Sequence, residues 1–219
     1  MKKIYYNPGC ALLIYKEDLA LKVLRYLQDI DKRIELHTVC CHHNPRVEKD
    51  SLIINTCAGC DRRFSNLYEG IETISLWEMI ANDETFNYPD HSGLTLSIHD
   101  ACPIRLKPQV HNAVRKILAK MNVKVIENEF SKDKSICCGD NLYPHVSVAK
   151  AQEHMKKRAQ SMPCENVCVY CVSCIKSMHI GGKTPLYLLD LIFLEQTIIG
   201  VYETEEWHDL VNEYIKKSN

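Results

Sequence analysis

The sequence has almost no net charge. Lysine and arginine together number 27 and aspartate and glutamate 28, so the formal net charge of the 219-residue chain is −1. Binding to a phosphate backbone requires a basic excess, which argues against nucleic acid as the main partner. The densest basic run, Lys156-Lys157-Arg158, fits the solvated face of a helix.

The chain also lacks a long hydrophobic run without charges. Its most apolar stretch, residues 186–201, contains Asp190 and Glu195 and therefore fits a buried core helix better than a membrane span. No secretory signal is recognisable, because Asn7-Pro8-Gly9 interrupts the segment that follows Lys2-Lys3. We expect a cytoplasmic protein, in a compartment where disulfides are rare.

Glycine is scarce, with 8 residues, and neither a G-x-G-x-x-G fingerprint nor a P-loop is present. The chain is therefore expected to carry no flavin or nicotinamide nucleotide of its own, so a redox reaction would need electrons from another protein. Cysteine, by contrast, is abundant, with 12 residues. In a reducing compartment, clustered cysteines indicate metal binding or redox chemistry.

Ten of the cysteines form two ordered copies of one pattern: a single Cys, a Cys-Cys pair and a Cys-x-x-Cys motif. The first copy consists of Cys10, Cys40, Cys41, Cys57 and Cys60. The second copy consists of Cys102, Cys137, Cys138, Cys171 and Cys174. An internal repeat of this kind indicates a repeated structural unit, so we predict one lobe in residues 1–92 and another in residues 93–219.

Each group of cysteines follows a short strand-like run, and helical patterns lie between the strands. The predicted strands are residues 3–6, 34–37, 51–55, 94–98, 123–126 and 166–170. This alternation predicts an α/β fold of two pseudo-repeated lobes with mainly parallel sheets. Because the carboxyl ends of parallel strands share one edge, the five thiols of each lobe are expected to converge there.

Four interpretations of the cysteines compete. Structural disulfides do not suit the expected compartment, and a zinc site made from the two Cys-x-x-Cys motifs would leave the Cys-Cys pairs without a role. A conventional iron–sulfur cluster could use Cys164, Cys168, Cys171 and Cys174 by spacing, but it would break the repeat. The fourth interpretation uses the repeat itself.

The repeat resembles the cysteine-rich CCG-domain family, of which the disulfide-reducing subunit of heterodisulfide reductase is typical. The sequence Cys137-Cys138-Gly139, followed by Cys171 and Cys174, matches the family signature. Asn7-Pro-Gly-Cys10 and His99-Asp-Ala-Cys102 are similar to the segments that begin its two copies. The resemblance extends over nearly the whole chain.

The resemblance implies two [4Fe–4S] clusters of the non-cubane type, each held by the five thiolates of one copy. It also implies reduction of a small-molecule disulfide, or the reverse oxidation of thiols, between the two clusters. The electron donor would be a protein that carries flavin or conventional iron–sulfur clusters. The alternative is a non-catalytic electron-transfer or redox-sensing subunit of a larger oxidoreductase, because relatives with the same domain occur in such complexes.

Three features depart from the family pattern. His42 stands where the family has glycine after the first Cys pair, and the gap from Cys41 to Cys57 is about one helix shorter than its counterpart. We interpret His42 as a candidate catalytic proton donor. Cys164 and Cys168 have no counterpart in the repeat, so we expect them to be structural. His99 is expected to orient the loop before Cys102.

Overall fold

The computed structural model describes residues 2–200 and 203–218. In that part of the chain the strands are β1 Ile4–Asn7, β2 Ile34–Leu36, β3 Ser51–Asn55, β4 Ile71–Ser75, β5 Thr95–His99, β6 Lys124–Val125, β7 Asn166–Val169 and β8 Thr184–Tyr187. The helices are α1 Cys10–Ile30, α2 Ala58–Leu67, α3 Leu76–Asn82, α4 Pro108–Lys120, α5 Val148–Gln160, α6 Val172–Ile180, α7 Leu188–Ile192 and α8 Thr204–Lys217.

The strands form two four-stranded sheets with the same topology. One has the order β2-β1-β3-β4 and the other β6-β5-β7-β8, and every pair is parallel. The predicted α/β fold with two similar lobes is confirmed. The central strands are buried on both sides, as parallel sheets covered by helices require: neither Ile53 nor Ile54 of β3 is exposed, and the same holds for Leu96 and Ser97 of β5.

The helical patterns expected between the strands are also confirmed. In α1, the buried residues Leu19, Val23 and Leu27 recur at the spacing of one helix face. In α4, Val110, Val114, Ile117 and Leu118 do the same. These faces contribute to one large apolar core that contains residues from both sheets. None of the helices in residues 2–200 and 203–218 is long and apolar enough to cross a membrane.

The core helix predicted over residues 186–201 is wrong in extent. Leu186 belongs to β8, which pairs with β7, and α7 covers only Leu188–Ile192. The helix ends there because Leu194 has a positive φ of 54°, a left-handed conformation that an α-helix cannot continue through. Residues up to 200 then follow an irregular path, and Val201 lies outside the described residues.

A polar network joins the two lobes. Lys16 of α1 donates from Nζ to Asp190 Oδ1 at 2.7 Å and to Glu195 Oε2 at 3.1 Å, and the Tyr15 hydroxyl donates to Asp190 Oδ2 at 2.6 Å. Asp190 is completely buried, so its charge depends on these partners. The network fixes α1 of the first lobe against α7 of the second.

Candidate metal centres

The five thiols of the first copy lie together at the carboxyl edge of the first sheet. Cys10 begins α1 directly after β1, the Cys40-Cys41 pair follows β2, and Cys57 and Cys60 lie at the start of α2 after β3. Their side chains form a continuous series in which each thiol interacts with the next, in the order Cys10, Cys40, Cys41, Cys60 and Cys57. The parallel strands bring these residues together because their carboxyl ends share an edge.

The second copy repeats this arrangement at the edge of the second sheet. Cys102 follows β5, the Cys137-Cys138 pair lies in the loop after β6, and Cys171 and Cys174 lie at the start of α6. The series of interacting thiols runs through the corresponding residues, in the order Cys102, Cys137, Cys138, Cys174 and Cys171. The structure thus brings together all ten thiols of the repeat, as two sets of five.

The chemistry of each set suits a metal centre that takes sulfur ligands. All twelve cysteines are free, so the thiols are not consumed in disulfides. Five sulfur donors exceed the four that a tetrahedral zinc ion takes, whereas soft thiolates are the ligands that hold iron–sulfur clusters. The residues present therefore fit iron–sulfur ligation.

Cys40 and Cys137 occupy equivalent positions, and both have a lowered pKa. The first cause is a hydrogen bond from another thiol, Cys10 for Cys40 and Cys102 for Cys137. Backbone amides add to the effect: that of His42 donates to Cys40, and that of Gly139 donates to Cys137 at 3.4 Å. Hydrogen bonds that stabilise a thiolate lower its pKa, and the thiolate is the form that binds metals.

The structure explains why His42 replaces glycine in the first copy. Gly139 has a φ of 103°, and a methyl group on it would lie 2.9 Å from both Cγ and the backbone N of Met155 in α5. The shorter first gap contains no helix that corresponds to α5. His42 therefore meets no such obstacle, it does not have a positive φ, and its side chain is exposed. His42 lies two residues after Cys40, and its catalytic role stays a prediction.

A buried histidine adjoins the second set. One ring nitrogen of His99 and the sulfurs of Cys138 and Cys174 all lie within 4.8 Å of one another. Nδ1 of His99 accepts a hydrogen bond from Nε of Arg158 at 3.1 Å. Burial first, and then the guanidinium of Arg158, lower the pKa of His99 to about 3.

The loop between His99 and Cys102 is held by a buried carboxylate. Asp100 accepts two hydrogen bonds from Arg115, at 3.1 and 2.9 Å, and one from the Tyr170 hydroxyl at 2.9 Å. Tyr170 in turn accepts from the Ala101 amide at 3.0 Å. Burial alone would raise the pKa of Asp100, but the hydrogen bonds from Arg115 outweigh it and hold the pKa below its usual value. Asp100, rather than His99, therefore provides most of the contacts that orient this loop.

The two thiol sets face a common cavity. Cys57 of the first set and Cys171 of the second line a space of about 50 Å³, together with Pro8, Ala11 and Tyr187. Tyr187 is buried, and its burial raises the pKa of the hydroxyl well above the ordinary value. The cavity therefore has a mixed wall of sulfur, apolar groups and hydroxyls, the latter from Thr56, Tyr170, Ser173 and Tyr187, and it offers room for a few water molecules.

A larger pocket of about 300 Å³ shares Val172 and Ser173 with this cavity. Its wall is mostly apolar, with Ile14, Ile175 and Ile198 among the lining residues. The pocket provides apolar space next to the surface where the two sets meet.

The C-terminal helix α8 crosses both thiol-bearing loops. At its C-terminal end, the backbone carbonyl of Ile215 lies 2.6 Å from Nε2 of His43, next to the first Cys pair. At its N-terminal end, Nε2 of His208 lies 3.4 Å from Oδ1 of Asp140, two residues after Cys138. Trp207 donates from Nε1 to Ser173 at 3.1 Å. The helix belongs to the second lobe by sequence, yet it covers elements of both.

The two cysteines outside the repeat lie apart from the thiol series. Cys168 is in the middle of β7 and has no exposed surface, and burial raises the pKa of its thiol. Cys164 is partly buried just before β7. In the described contacts neither takes part in the two series of interacting thiols, as expected for structural residues.

The expectation that Lys156-Lys157-Arg158 forms a solvated face is wrong for Arg158. Lys156 and Lys157 are exposed, but Arg158 is only 1% exposed and also donates to the Phe130 carbonyl at 2.8 Å. A signal was available in the sequence, because Arg158 lies on the same face of α5 as Ala151 and Met155. No comparable pattern in the sequence predicts that Tyr187 lines the same cavity as Cys57 and Cys171.

Comparison with known proteins supports the fold and no more. No family model matches the chain, and no curated protein matches it. A hypothetical protein from Helicobacter pylori has a similar structure, with a TM-score of 0.54 and 8% identity over 94% of this chain and 51% of that chain. This chain therefore spans about half the length of the Helicobacter protein. An aspartate racemase from Picrophilus torridus aligns over 100% of this chain and 94% of its own with 10% identity, but the TM-score of 0.34 is too low to indicate a shared fold.

Proposed function

We propose that the protein is an iron–sulfur oxidoreductase that reduces a small-molecule disulfide to two thiols, or catalyses the reverse oxidation. The observation that carries this proposal is that one thiol from each set, Cys57 and Cys171, lines the same cavity. A disulfide at this position would lie between two redox centres. Its reduction consumes two electrons and two protons, breaks the S–S bond and gives two thiols.

The ten cysteines of the repeat would hold two [4Fe–4S] clusters of the non-cubane type, five thiolates to each. When bound, the clusters would each supply one of the two electrons. Since the sequence carries no nucleotide-binding fingerprint, the electrons would come from a partner protein with flavin or conventional iron–sulfur clusters. The shared repeat, the matching order of thiols and the absence of disulfides support this assignment.

The surrounding residues would bind and enclose the substrate. Pro8, Ala11 and Tyr187 would exclude bulk water from the S–S bond. The adjoining apolar pocket would accept the remainder of the molecule, so we propose a disulfide or thiol with an apolar arm. The exposed side chain of His42, beside Cys40, would deliver a proton to a departing thiolate.

The cavity volume also favours a second candidate function. A space of about 50 Å³ is small for a substituted disulfide, so its walls would have to separate for the substrate to enter. A pair of redox centres behind closed walls suits electron relay instead. On this alternative, the protein is an electron-transfer subunit of a larger oxidoreductase.

One experiment separates the candidates. Protein purified without oxygen is analysed for iron, sulfide and zinc, and is then mixed with excess reduced methyl viologen and several small disulfides. We expect two four-iron clusters and repeated turnover, while the iron-free protein is limited to stoichiometric exchange by its thiols. Clusters that pass electrons to a carrier protein but leave every disulfide intact would establish the relay. A colourless protein with zinc would contradict both candidates.

A further inference from the structure

The ring of His99 is held in one tautomer by Arg158. A guanidinium has only donors and cannot accept a hydrogen bond, so the 3.1 Å contact from Arg158 Nε requires His99 Nδ1 to be the acceptor. A neutral imidazole with an acceptor at one nitrogen carries its proton on the other. The hydrogen of His99 is therefore on Nε2.

Arg158 is itself fixed, so this arrangement is rigid. Besides His99, it donates to Ser161 Oγ at 3.1 Å and to the Phe130 carbonyl at 2.8 Å. It lies on the buried face of α5. The guanidinium thus has three separate acceptors, which fix the contact that orients the imidazole ring.

The Nε2–H group has no acceptor among the described residues. This nitrogen is completely buried and makes no hydrogen bond, and an unpaired buried donor costs about 1–3 kcal/mol. One ring nitrogen of His99 and the sulfurs of Cys138 and Cys174 lie within 4.8 Å of one another. The ring that carries this unpaired donor thus adjoins the proposed second centre.

The first lobe has no equivalent donor in the part of the chain that the structure describes. By strand register, Asn7 at the end of β1 corresponds to His99 at the end of β5, because Asn7 pairs with Asn55 and His99 with Val169, each two residues before the first Cys of Cys-x-x-Cys. Asn7 uses Oδ1 to accept from the Gly9 amide at 2.7 Å and Nδ2 to contact His37 at 3.4 Å. Its polar atoms are therefore already engaged.

We propose that His99 is a positioning residue that donates its Nε2–H to a sulfur of the second centre and raises the reduction potential of that centre. Hydrogen bonds to the sulfurs of an iron–sulfur cluster stabilise the more negative reduced state. The two centres consequently differ, and the second accepts an electron more readily than it would without His99. This inference rests on the proposed function, because it requires a cluster in the second set.

The test replaces His99 with asparagine, the residue at the corresponding position of the first lobe. His99→Asn and native protein are titrated anaerobically, with both potentials followed by absorbance and electron paramagnetic resonance. Cys138→Ala, which is expected to lack the second centre, assigns the signals. We expect iron content to be retained and the reduction equilibrium of the second centre to fall about tenfold, or ~59 mV for one electron, while the first is unchanged.

His111→Asn is the matched control. His111 is 2% exposed, lies in the same lobe and also has a buried Nε2 without a hydrogen bond, but it is not in the group formed by His99, Cys138 and Cys174. It should leave both potentials unchanged. Arg158→Lys provides a second variant: it keeps a positive charge near Cys138 and Cys174 but lacks the Nε that fixes the tautomer of His99, and it should shift the same potential in the same direction.

The outcomes separate this inference from the proposed function. Two clusters with unchanged potentials in His99→Asn would overturn the role of His99 and leave the function standing. Loss of the second cluster from a folded His99→Asn protein would also overturn it, because His99 would then be a ligand. Native protein without iron would overturn both the function and the inference.

Discussion

Cys57 and Cys171 lie on the wall of the same cavity although they belong to different lobes. Each is the residue that immediately precedes a helix, α2 for Cys57 and α6 for Cys171. The amino terminus of a helix carries a partial positive charge, which favours an anionic thiolate. A hydrogen bond from Cys60 lowers the pKa of Cys57 to about 7. The cavity is thus bordered by one sulfur from each thiol set, each at the start of a helix.

Cys138→Ala should remove or convert one cluster, whereas Cys164→Ala should leave both in place. Cys138 is buried and joins Cys137 to Cys174 in the thiol series, and Cys164 takes no part in it. Iron and sulfide analysis with electron paramagnetic resonance measures the result. Equal loss of iron in the two variants would revive a conventional cluster built on Cys164.

Gly139→Ala should destabilise the protein more than Gly93→Ala. Both glycines have a positive φ, 103° and 88°, so alanine costs about 1–2 kcal/mol at either position. Only at Gly139 would the new methyl group meet α5, 2.9 Å from Met155, while nothing lies within 4 Å of it at Gly93. We expect overpacking to add about 1–3 kcal/mol, measured by anaerobic urea unfolding. Equal midpoints would show that the loop after Cys138 yields without cost.

His42→Ala should slow disulfide reduction without loss of iron. The backbone amide of His42, not its ring, donates to Cys40, and alanine retains that amide. Loss of a proton donor lowers turnover by about 10²–10⁴-fold in typical enzymes. His145→Ala removes another exposed histidine and should have no effect. Native turnover in His42→Ala would exclude His42 as the proton source.

Asp190→Ala should destabilise the contact between the lobes strongly. It removes the acceptor of Tyr15 and one acceptor of Lys16; Glu195 still accepts from Lys16, and each buried donor left without its partner costs about 1–3 kcal/mol. Glu213→Ala removes one member of the exposed pair between Glu213 and Lys217 and should leave stability unchanged. Thermal unfolding of the two variants is the measurement. A small effect of Asp190→Ala would mean that apolar contacts alone hold α1 against α7.

The errors made from sequence have physical causes that can be named. The sequence predicts one helix over residues 186–201, because apolar content does not distinguish a longer helix from a short buried strand followed by a helical turn. Arg158 read as solvated because it follows two exposed lysines, although it faces the core. For Leu186 a neighbour from another part of the chain decides the outcome, because it pairs with β7. The buried position of Arg158, by contrast, follows from the apolar face of its own helix.

By itself, the sequence determined the fold class, the two lobes and the membership of the two thiol sets. The order of strands and helices is encoded locally. Once such strands pair in parallel, every Cys group lies at the same edge of its sheet. Only the tertiary structure decided that Cys57 and Cys171 share a cavity, that α8 crosses both loops and that Arg158 fixes the ring of His99. These relationships depend on how the lobes and helices pack. Packing brings together side chains that are far apart in the sequence, and no sequence pattern links their positions.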